Sequence, residues 1–263
     1  MKENGYSRLE MMAIAGARMI RNEEVVLVGT GLPLVSTLLA KHTHAPDAIV
    51  AMEAGLYDSN PQSLPFCVAD ARGVCRTPWV GTAFNLMGQF LQKGMVDTGF
   101  LGGAQVDRYG NLNSTCIGSY SNPTKRFEGS GGACDIAVMA GRTIIIMAHE
   151  KKRFVEKVDF LTSPGWKVHR YPDGASVFRN EIGMSGGPYA VVSTLGVMKF
   201  DESSHEMLLD SFYEGLGVTP EEIANNTGFE IDVRGAKPLD APTEEELHVL
   251  RTIVDPEGIF MKY

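Results

Sequence analysis

The chain has 263 residues, of which 44% are hydrophobic and 21% are charged, an ordinary globular composition with length for one large α/β domain or two small ones. Its net charge of −8 argues against general nucleic-acid binding, which depends on a basic face, but leaves room for a local basic pocket. No run of residues approaches the ~20 apolar residues that a membrane span needs.

The N-terminal segment lacks a signal-peptide pattern, because Arg8, Glu10 and Arg18 interrupt any apolar run. The four cysteines form no CxxC pair, which argues against a zinc or redox motif. We therefore expect a cytoplasmic protein with reduced thiols.

The first predicted elements alternate between helix and strand. Ser7 and Glu10 form a capping box that begins a helix. The run EEVVLVGTG predicts a strand that ends in a glycine turn, and LPLVSTLLAKH predicts a helix with Pro33 in its first turn. The run AIVAMEAG predicts a second strand, so that these three elements form a βαβ unit.

Four further strands are predicted at 98–101, 136–139, 143–147 and 190–193, and a helix is predicted within 81–96. The alternation favours one α/β domain over 1–263, with a mostly parallel open sheet and helices on both faces. From about residue 202 to 263 we expect a C-terminal, partly helical cover, with helices that begin at TPEE and TEEE.

Glu53 follows the apolar run of the second predicted strand. A buried carboxylate is costly unless it is paired or hydrogen-bonded. Because ligands of parallel sheets bind at the carboxyl ends of strands, Glu53 is a candidate catalytic residue. From position alone, an acid held in a buried ion pair is an equally good interpretation.

Three glycine-rich segments have both a functional and a structural interpretation. GTGLPL (29–34) either cradles a phosphate at a helix N-terminus or forms a tight turn. In 101–115, paired glycines allow close approach of a ligand, whereas Asn111 and Asn113 are expected to satisfy the backbone of a structured turn. GSGG (129–132) either supplies N–H groups to an oxyanion or forms a sharp loop before a strand.

The histidines and the basic residues are less specific. The HEKKRF segment places Lys151, Lys152 and Arg153 together, either to meet a phosphate-bearing ligand or as a solvated face. His42 and His44 form an HxH, but no nearby carboxylate or cysteine completes a metal site. We predict no metal centre.

Eight segments in this order resemble the β subunits of family I CoA-transferases of the glutaconate CoA-transferase type. They lie between about residue 8 and residue 258 and are VGTGLPL, PDAIVAMEAGLYD, GGAQVDRYGNLNST, RFEGSGGA, HEKKRF, TSPGW, MKFDE and NTGFEIDV. The resemblance implies the NagB/RpiA/CoA-transferase-like α/β fold. It also implies that Glu53 is the catalytic glutamate and that Gly131 and Gly132 donate backbone N–H groups to the oxyanion.

The remaining site predictions rest on the glycine loops, the basic cluster and the segment GSYSNPTKRF. The residues expected to contact CoA are Gly29, Gly31, Gly103, Lys151 and Arg153. The residues expected to contact the substrate acid are Ser119, Tyr120 and Arg126. Ala54 and Gly55 are expected to leave room for a bulky thioester beside the carboxylate.

The resemblance implies ping-pong covalent catalysis that moves CoA between an acyl-CoA and a (di)carboxylic acid such as glutaconate. The intermediates are a mixed anhydride and a glutamyl-CoA thioester. No cofactor is required, because CoA is itself a substrate. The partner is an α subunit, in an expected heterotetramer of two chains of each kind, and no nucleic acid or membrane is expected to bind.

Two other functions stay open at this point. Relatives of the fold that hydrolyse a ring or decarboxylate a CoA-bound acid alter or relocate the glutamate, so Glu53 favours transfer over these reactions. A ligand-sensing domain of the same fold would bind a phosphorylated ligand without a nucleophile, and the complete set of transferase segments argues against it.

Overall fold

A computed structural model describes residues 5–170 and 172–261. Their strands, in chain order, are β1 (Val25–Val28), β2 (Ile49–Met52), β3 (Leu56–Tyr57), β4 (Trp79–Val80), β5 (Thr98–Leu101), β6 (Gln105–Val106), β7 (Leu112–Asn113), β8 (Cys116–Ser119), β9 (Asn122–Arg126), β10 (Arg142–Met147), β11 (Lys167–His169), β12 (Ser176–Phe178), β13 (Pro188–Ser193), β14 (Gly196–Phe200), β15 (Met207–Phe212) and β16 (Lys237–Pro238).

The α-helices in the same residues are α1 (Arg8–Ala17), α2 (Leu32–Lys41), α3 (Ala133–Met139), α4 (Pro220–Asn225) and α5 (Glu244–Val249). Short 3₁₀ helices lie at Ala71–Val74, Arg179–Ile182 and Glu214–Leu216, and π-helices lie at Phe84–Leu91 and Leu250–Val254. The chain divides into a first unit, residues 5–100 with 240–261, and a second unit, the described residues of 101–239. The single-domain organisation stays a prediction.

The first unit contains the strand order β5-β1-β2-β3-β4. β1 pairs in parallel with both β5 and β2, and β2, β3 and β4 continue as antiparallel neighbours. The apolar, largely β-branched runs of β1 and β2 suit strands that are covered on both faces, and their last three residues are buried. α2 packs against β1 and α1.

The first unit is discontinuous in sequence, and two ion pairs join its parts. Glu10 is fully buried, accepts from the backbone N–H of Ser7 at 2.6 Å and pairs with Arg251 at 2.7 Å. Arg18 pairs with Glu246 at 2.7 Å. The predicted capping box of α1 is therefore confirmed, and its glutamate also anchors the C-terminal segment.

The second unit contains the strand order β16-β15-β14-β13-β10 and three two-stranded antiparallel sheets. β10 and β13 are parallel, β13, β14 and β15 are antiparallel neighbours, and β16 is parallel to β15. The core strands carry runs of buried aliphatic residues, as in Ile144–Ile146 of β10. The α/β fold class is confirmed, with antiparallel strands flanking the parallel ones.

Most predicted elements of the sheet are present. The strands predicted at 98–101, 143–147 and 190–193 correspond to β5, β10 and β13, and the helix predicted within 81–96 is a π-helix. The strand predicted at 136–139 is wrong, because these residues belong to α3. The C-terminal region contains α4 and α5 as predicted, together with β15, which was not predicted. In the described residues no helix combines the length and apolarity that crossing a membrane requires.

Candidate active site

Glu53 is the first residue of the tight turn between β2 and β3. The N–H of Gly55 donates to the carbonyl of Met52 at 2.9 Å, and β3 then runs antiparallel to β2. The Glu53 side chain is half-buried, and no described residue of the first unit forms a hydrogen bond or an ion pair with its carboxylate. Its predicted place, immediately beyond the carboxyl end of a parallel strand, is confirmed, and the buried ion pair is not formed within this unit.

A close backbone contact between Gly55 and the chain at 81–82 supports this turn. Gly55 has φ +104°, and a Cβ atom there would lie 2.7 Å from backbone atoms of Gly81 and Thr82. The N–H of Gly81 donates to the carbonyl of Gly55 at 2.8 Å. The sequence led us to expect that Gly55 leaves room for a thioester. This expectation is wrong for Gly55, because the chain at 81–82 already fills that space.

The open space lies instead at the glycine loop after β1. Val28 is the register partner of Met52, so Gly29 and Glu53 follow adjacent parallel strands at the same edge. A Cβ atom at Gly29 or at Gly31 would have no heavy atom within 4 Å. Gly31 has φ +84° and precedes α2 without a side-chain cap, which leaves backbone N–H groups of the first helical turn available to an anion.

The second glycine loop, 129–132, precedes α3 in the second unit. The N–H of Gly129 donates to the carbonyl of Ser114, and that of Ala133 donates to the carbonyl of Ser130. Between these anchored positions, no described residue of this unit accepts from the N–H groups of Gly131 and Gly132. Two adjacent free donors at a turn can serve an oxyanion.

The basic cluster forms a short turn whose cations are partly neutralised. Glu150 accepts from Lys152 at 3.0 Å and from Arg153 at 3.3 Å. Arg153 also donates to the carbonyl of Gly103 at 3.4 Å, which brings two of the predicted CoA contacts together. Lys151 is exposed and pairs with no described carboxylate of this unit, so it keeps the least compensated charge of the cluster.

His149, at the base of this turn, has a structural role that the sequence did not reveal. Its imidazole stacks on the buried ring of Phe154, with ring centroids 3.9 Å apart. Its nitrogens contact the hydroxyls of Ser193 at 3.0 Å and Thr227 at 3.1 Å. Burial lowers the pKa of His149 to about 4, so the ring is neutral at pH 7.

The three predicted substrate contacts lie together on the β8–β9 hairpin. The guanidinium of Arg126 donates to the carbonyl of Tyr120 at 2.7 Å and lies 4.6 Å from the centre of its ring. Tyr120 stacks on Phe160 at 5.2 Å. Ser119 contacts the hydroxyl of Ser121 at 3.0 Å. All three residues are exposed, and the two contacts with Tyr120 orient the guanidinium of Arg126.

The structured-turn interpretation of Asn111 and Asn113 is confirmed. The amide of Asn111 donates to Asp107 at 2.9 Å and to the carbonyl of Lys167 at 2.9 Å. Asn113 donates to Gln105 at 2.8 Å. In residues 5–170 and 172–261, no three or more His, Cys, Asp or Glu side chains are grouped so that they could hold a metal ion.

Comparison with known proteins decides the family. Residues 9–226 match the family described as Coenzyme A transferase. The chain belongs to the coenzyme A transferase family. Within this family it is 41% identical to the B subunit of glutaconate CoA-transferase from Acidaminococcus fermentans, over 98% of this chain and 96% of that protein. It is 37% identical to the B subunit of 3-oxoadipate CoA-transferase from Pseudomonas knackmussii, over 95% of this chain and 94% of that protein.

A solved structure agrees with this assignment. The crystal structure of glutaconate coenzyme A-transferase from Acidaminococcus fermentans matches with a TM-score of 0.89 and 40% identity, over 99% of each chain. The resemblance seen in the sequence, and with it the prediction of a CoA-transferase, is confirmed. The individual site residues stay predictions.

Proposed function

We propose that this chain is the β subunit of a two-subunit CoA-transferase that moves CoA between an acyl-CoA and a (di)carboxylic acid such as glutaconate. Glu53 is the nucleophile. The observation that carries the proposal is the setting of this carboxylate, which is half-buried, free of partners in its unit and next to an open glycine loop. Relatives named as B subunits of CoA-transferases, at 41% and 37% identity, support it.

The first half-reaction consumes the acyl-CoA. A carboxylate oxygen of Glu53 attacks the thioester carbonyl, and the C–S bond breaks to release CoA thiolate and leave a mixed anhydride. The thiolate then attacks the glutamyl carbonyl of this anhydride. The C–O bond breaks, the first acid leaves as its carboxylate, and a glutamyl-CoA thioester remains.

The second half-reaction reverses these steps with the acceptor acid. Its carboxylate attacks the glutamyl thioester, CoA thiolate leaves and a new anhydride forms. The thiolate attacks the acyl carbonyl of the new anhydride, which gives the product acyl-CoA and restores the Glu53 carboxylate. Every nucleophile and leaving group is a thiolate or a carboxylate, so the cycle needs no net proton transfer and no cofactor beyond its substrates.

Each tetrahedral intermediate carries an oxyanion, for which we propose the N–H groups of Gly131 and Gly132 as donors. One such donor contributes roughly 3–4 kcal/mol to transition-state stabilisation. The free N–H groups and the turn geometry at this loop support the proposal. Water must be kept from the anhydride and the thioester, which would otherwise hydrolyse.

We propose that CoA is held by the glycine loops and the basic turn. Gly29 and Gly31 provide open backbone beside Glu53, while Lys151 and Arg153 provide cations for phosphate groups, with Gly103 against Arg153. For the acid we propose Ser119, Tyr120 and Arg126. A guanidinium is suited to bind the far carboxylate of a dicarboxylic acid.

The α subunit completes the proposed enzyme, with two chains of each kind. The names of the similar proteins, each of them a B subunit, support a two-chain enzyme. A cytoplasmic location remains our expectation.

Trapping of the thioester tests the proposal. The chain is purified with its α subunit, incubated with glutaconyl-CoA or glutaryl-CoA and reduced with borohydride, and the peptide that contains Glu53 is weighed. We expect the mass of an alcohol in place of the carboxyl group, because borohydride reduces a glutamyl thioester. Glu245→Gln, which changes an exposed carboxylate of the same unit, is the matched control and should trap equally.

An unmodified Glu53 peptide from a complex that still consumes acyl-CoA would overturn the nucleophile assignment. If the complex then opens the ring of a cyclic CoA-bound acid by adding water, with the thioester left intact, the hydrolase alternative replaces transfer. A loss of carbon dioxide from the bound acid would identify the decarboxylase alternative.

A further inference from the structure

The segment 66–95 of the first unit exposes an unusually large share of apolar side chains for a free protein. Of ten large hydrophobic side chains that the described residues expose, six lie here: Phe66, Val74, Trp79, Val80, Phe84 and Met95. The side chains of Phe66 and Phe84 are 64% and 70% exposed. Isolated exposed apolar residues are normal, whereas a concentration of this kind marks an interaction site. We call this segment, 66–95, the docking face.

The docking face includes part of an aromatic cluster. The ring of Tyr57 lies 6.5 Å from that of Trp79 and 5.1 Å from that of Phe90, and the rings of Trp79 and Phe90 are 5.7 Å apart. β4 pairs with β3 on one side, and no described strand of this unit pairs with its other side. An edge strand with two exposed hydrophobic residues is usually covered in a native assembly.

The helix of the docking face is also unusual. Phe84–Leu91 is a π-helix, a conformation that is rare beyond a single turn and is frequent at functional sites. Its first residue is the most exposed hydrophobic residue of the face. The face therefore combines exposed apolar side chains, an open strand edge and an uncommon backbone.

The docking face is continuous with the turn that carries Glu53. Gly81 follows β4 directly, and its N–H donates to the carbonyl of Gly55 at 2.8 Å. A molecule that covers β4 therefore also lies against the backbone that supports the Glu53 turn. The half-buried carboxylate itself still needs walls that exclude water from its anhydride.

The charge of the docking face indicates whether a second copy of this chain or a different subunit covers it. Residues 66–95 contain three cations and one anion, Arg72, Arg76, Lys93 and Asp70, in a chain whose net charge is −8. Arg72 is paired with Asp70, and no described carboxylate of this unit pairs with Arg76 or Lys93. A two-fold contact between identical faces would bring these cations together, whereas an apolar surface with acidic groups at its rim would complement them.

We infer that the α subunit of the proposed enzyme docks on residues 66–95 and that this contact fixes the Glu53 turn through Gly81 and Gly55. The inference rests on the proposed two-subunit function. Assembly and catalysis are then coupled, because the same backbone segment contacts the partner and supports the nucleophile.

Association is measured first, with variants of exposed residues that do not threaten folding. Phe84→Ser and Phe66→Ser should each weaken binding of the α subunit at least about tenfold in sedimentation or light-scattering titrations, as expected for buried aromatic anchors. Ile253→Ser is the matched control, because Ile253 is also an exposed hydrophobic residue of the first unit but lies outside the face. It should bind as the wild type does.

Two native cysteines report the same contact without mutation. Cys67 and Cys75 lie within the segment and are exposed. Both should react with N-ethylmaleimide in the isolated chain and be protected in the complex, as read by mass spectrometry. Hydrogen exchange of the amides at 53–55 should slow on complex formation, which tests the coupling to the nucleophile.

Three results would overturn the inference. Phe84→Ser could lose activity while binding the α subunit normally, which would make the face part of the substrate pocket. The isolated chain could form a dimer that Phe84→Ser dissociates, which would make a second copy the occupant. Exchange at 53–55 could be equal in the free chain and the complex, which would remove the coupling. Glu53→Gln should still associate, so failure of the catalytic proposal and failure of this one are distinguishable.

Discussion

Glu53 and Asp107 are carboxylates in two glycine-containing turns that each follow a strand, and the structure treats them in opposite ways. Asp107 is buried and accepts from the N–H of Tyr109 at 2.9 Å and from the N–H and side-chain amide of Asn111 at 3.1 and 2.9 Å. Glu53 is half-buried and has no such donor among the described residues of its unit. Only Asp107 uses its carboxylate oxygens to accept hydrogen bonds within the fold.

The difference shows that an acid beyond a strand is not by itself a sign of function. A carboxylate that organises its own turn contributes to stability, because removing it leaves several N–H donors unsatisfied. A carboxylate that the fold leaves free remains available for an external electrophile. We expect stability and activity to separate between these two residues.

The largest expected effect is at Glu53. Glu53→Gln keeps the size of the side chain but removes the nucleophilic carboxylate, so the transfer rate should fall by roughly 10⁴-fold or more. The measurement is CoA exchange between acyl-CoA and labelled acid in the complex. Wild-type activity in this variant would show that the two acidic turns do not differ in function.

The second largest effect on activity is expected at Gly55, whose backbone contact supports the turn that carries Glu53. Gly55→Ala introduces a Cβ atom at φ +104° and 2.7 Å from the backbone of 81–82, so the Glu53 turn must move. A displacement near 1 Å should lower kcat by roughly 100-fold. Gly235→Ala, whose Cβ would meet open space and which lies outside the proposed site, is the matched control for an added methyl group and should keep the wild-type kcat. Equal kcat in Gly55→Ala and the wild type would contradict the supporting role of this backbone contact.

Asp107 should show the opposite pattern, with a large effect on stability. Asp107→Ala leaves three donors without their acceptor and should lower the free energy of unfolding by roughly 2–4 kcal/mol in urea titrations. Glu53→Ala should change the same quantity by less than about 0.5 kcal/mol. Similar losses of unfolding free energy in Asp107→Ala and Glu53→Ala would contradict the distinction between a structural and a free carboxylate.

The pH dependence of stability gives a smaller effect. Burial raises the pKa of the Asp107 carboxyl, so the folded state holds this proton more tightly than the unfolded state does. The part of the stability that depends on this proton is therefore complete below about pH 4 and is lost as the pH rises through the folded pKa. The unfolding free energy of the wild type, minus that of Asp107→Asn, should fall as the pH is raised above about 4. A difference that is constant or rises would contradict this assignment.

The smallest effect is at the basic turn. Lys151 is exposed, so a contact with a CoA phosphate would contribute little in high dielectric. Lys151→Ala should raise the KM for acyl-CoA about threefold at low salt, with kcat unchanged, and the difference should shrink as salt is added. A pantetheine thioester without phosphates should show no difference.

The sheet was predictable in part from short apolar runs bounded by glycine turns. VVLV and IVAM were correctly predicted as buried strands, and a glycine turn after the first marked the start of α2. The run at 136–139 is equally short and has the composition of IVAM, yet it forms part of α3, because periodicity does not separate a strand from a helix over four residues. β15 was missed because its alternation lies in a region dominated by helix-start signals.

The site was predictable in its chemistry and less so in its geometry. The position of Glu53 followed from the strand that precedes it. The filling of space at Gly55 by the chain at 81–82 could not be predicted, because contacts between segments distant in sequence leave no local pattern. The same holds for His149, whose partners Ser193 and Thr227 lie far along the chain.

The discontinuity of the first unit has a consequence for biosynthesis. The strands that carry the Glu53 turn leave the ribosome early, but the ion pairs of Arg18 with Glu246 and of Glu10 with Arg251 can form only when the final residues have been made. In the complete unit Glu10 is fully buried, and Arg251 of the C-terminal segment is one of its partners. We therefore expect the first unit to complete its packing only after residues 101–239 and the C-terminal segment have been translated.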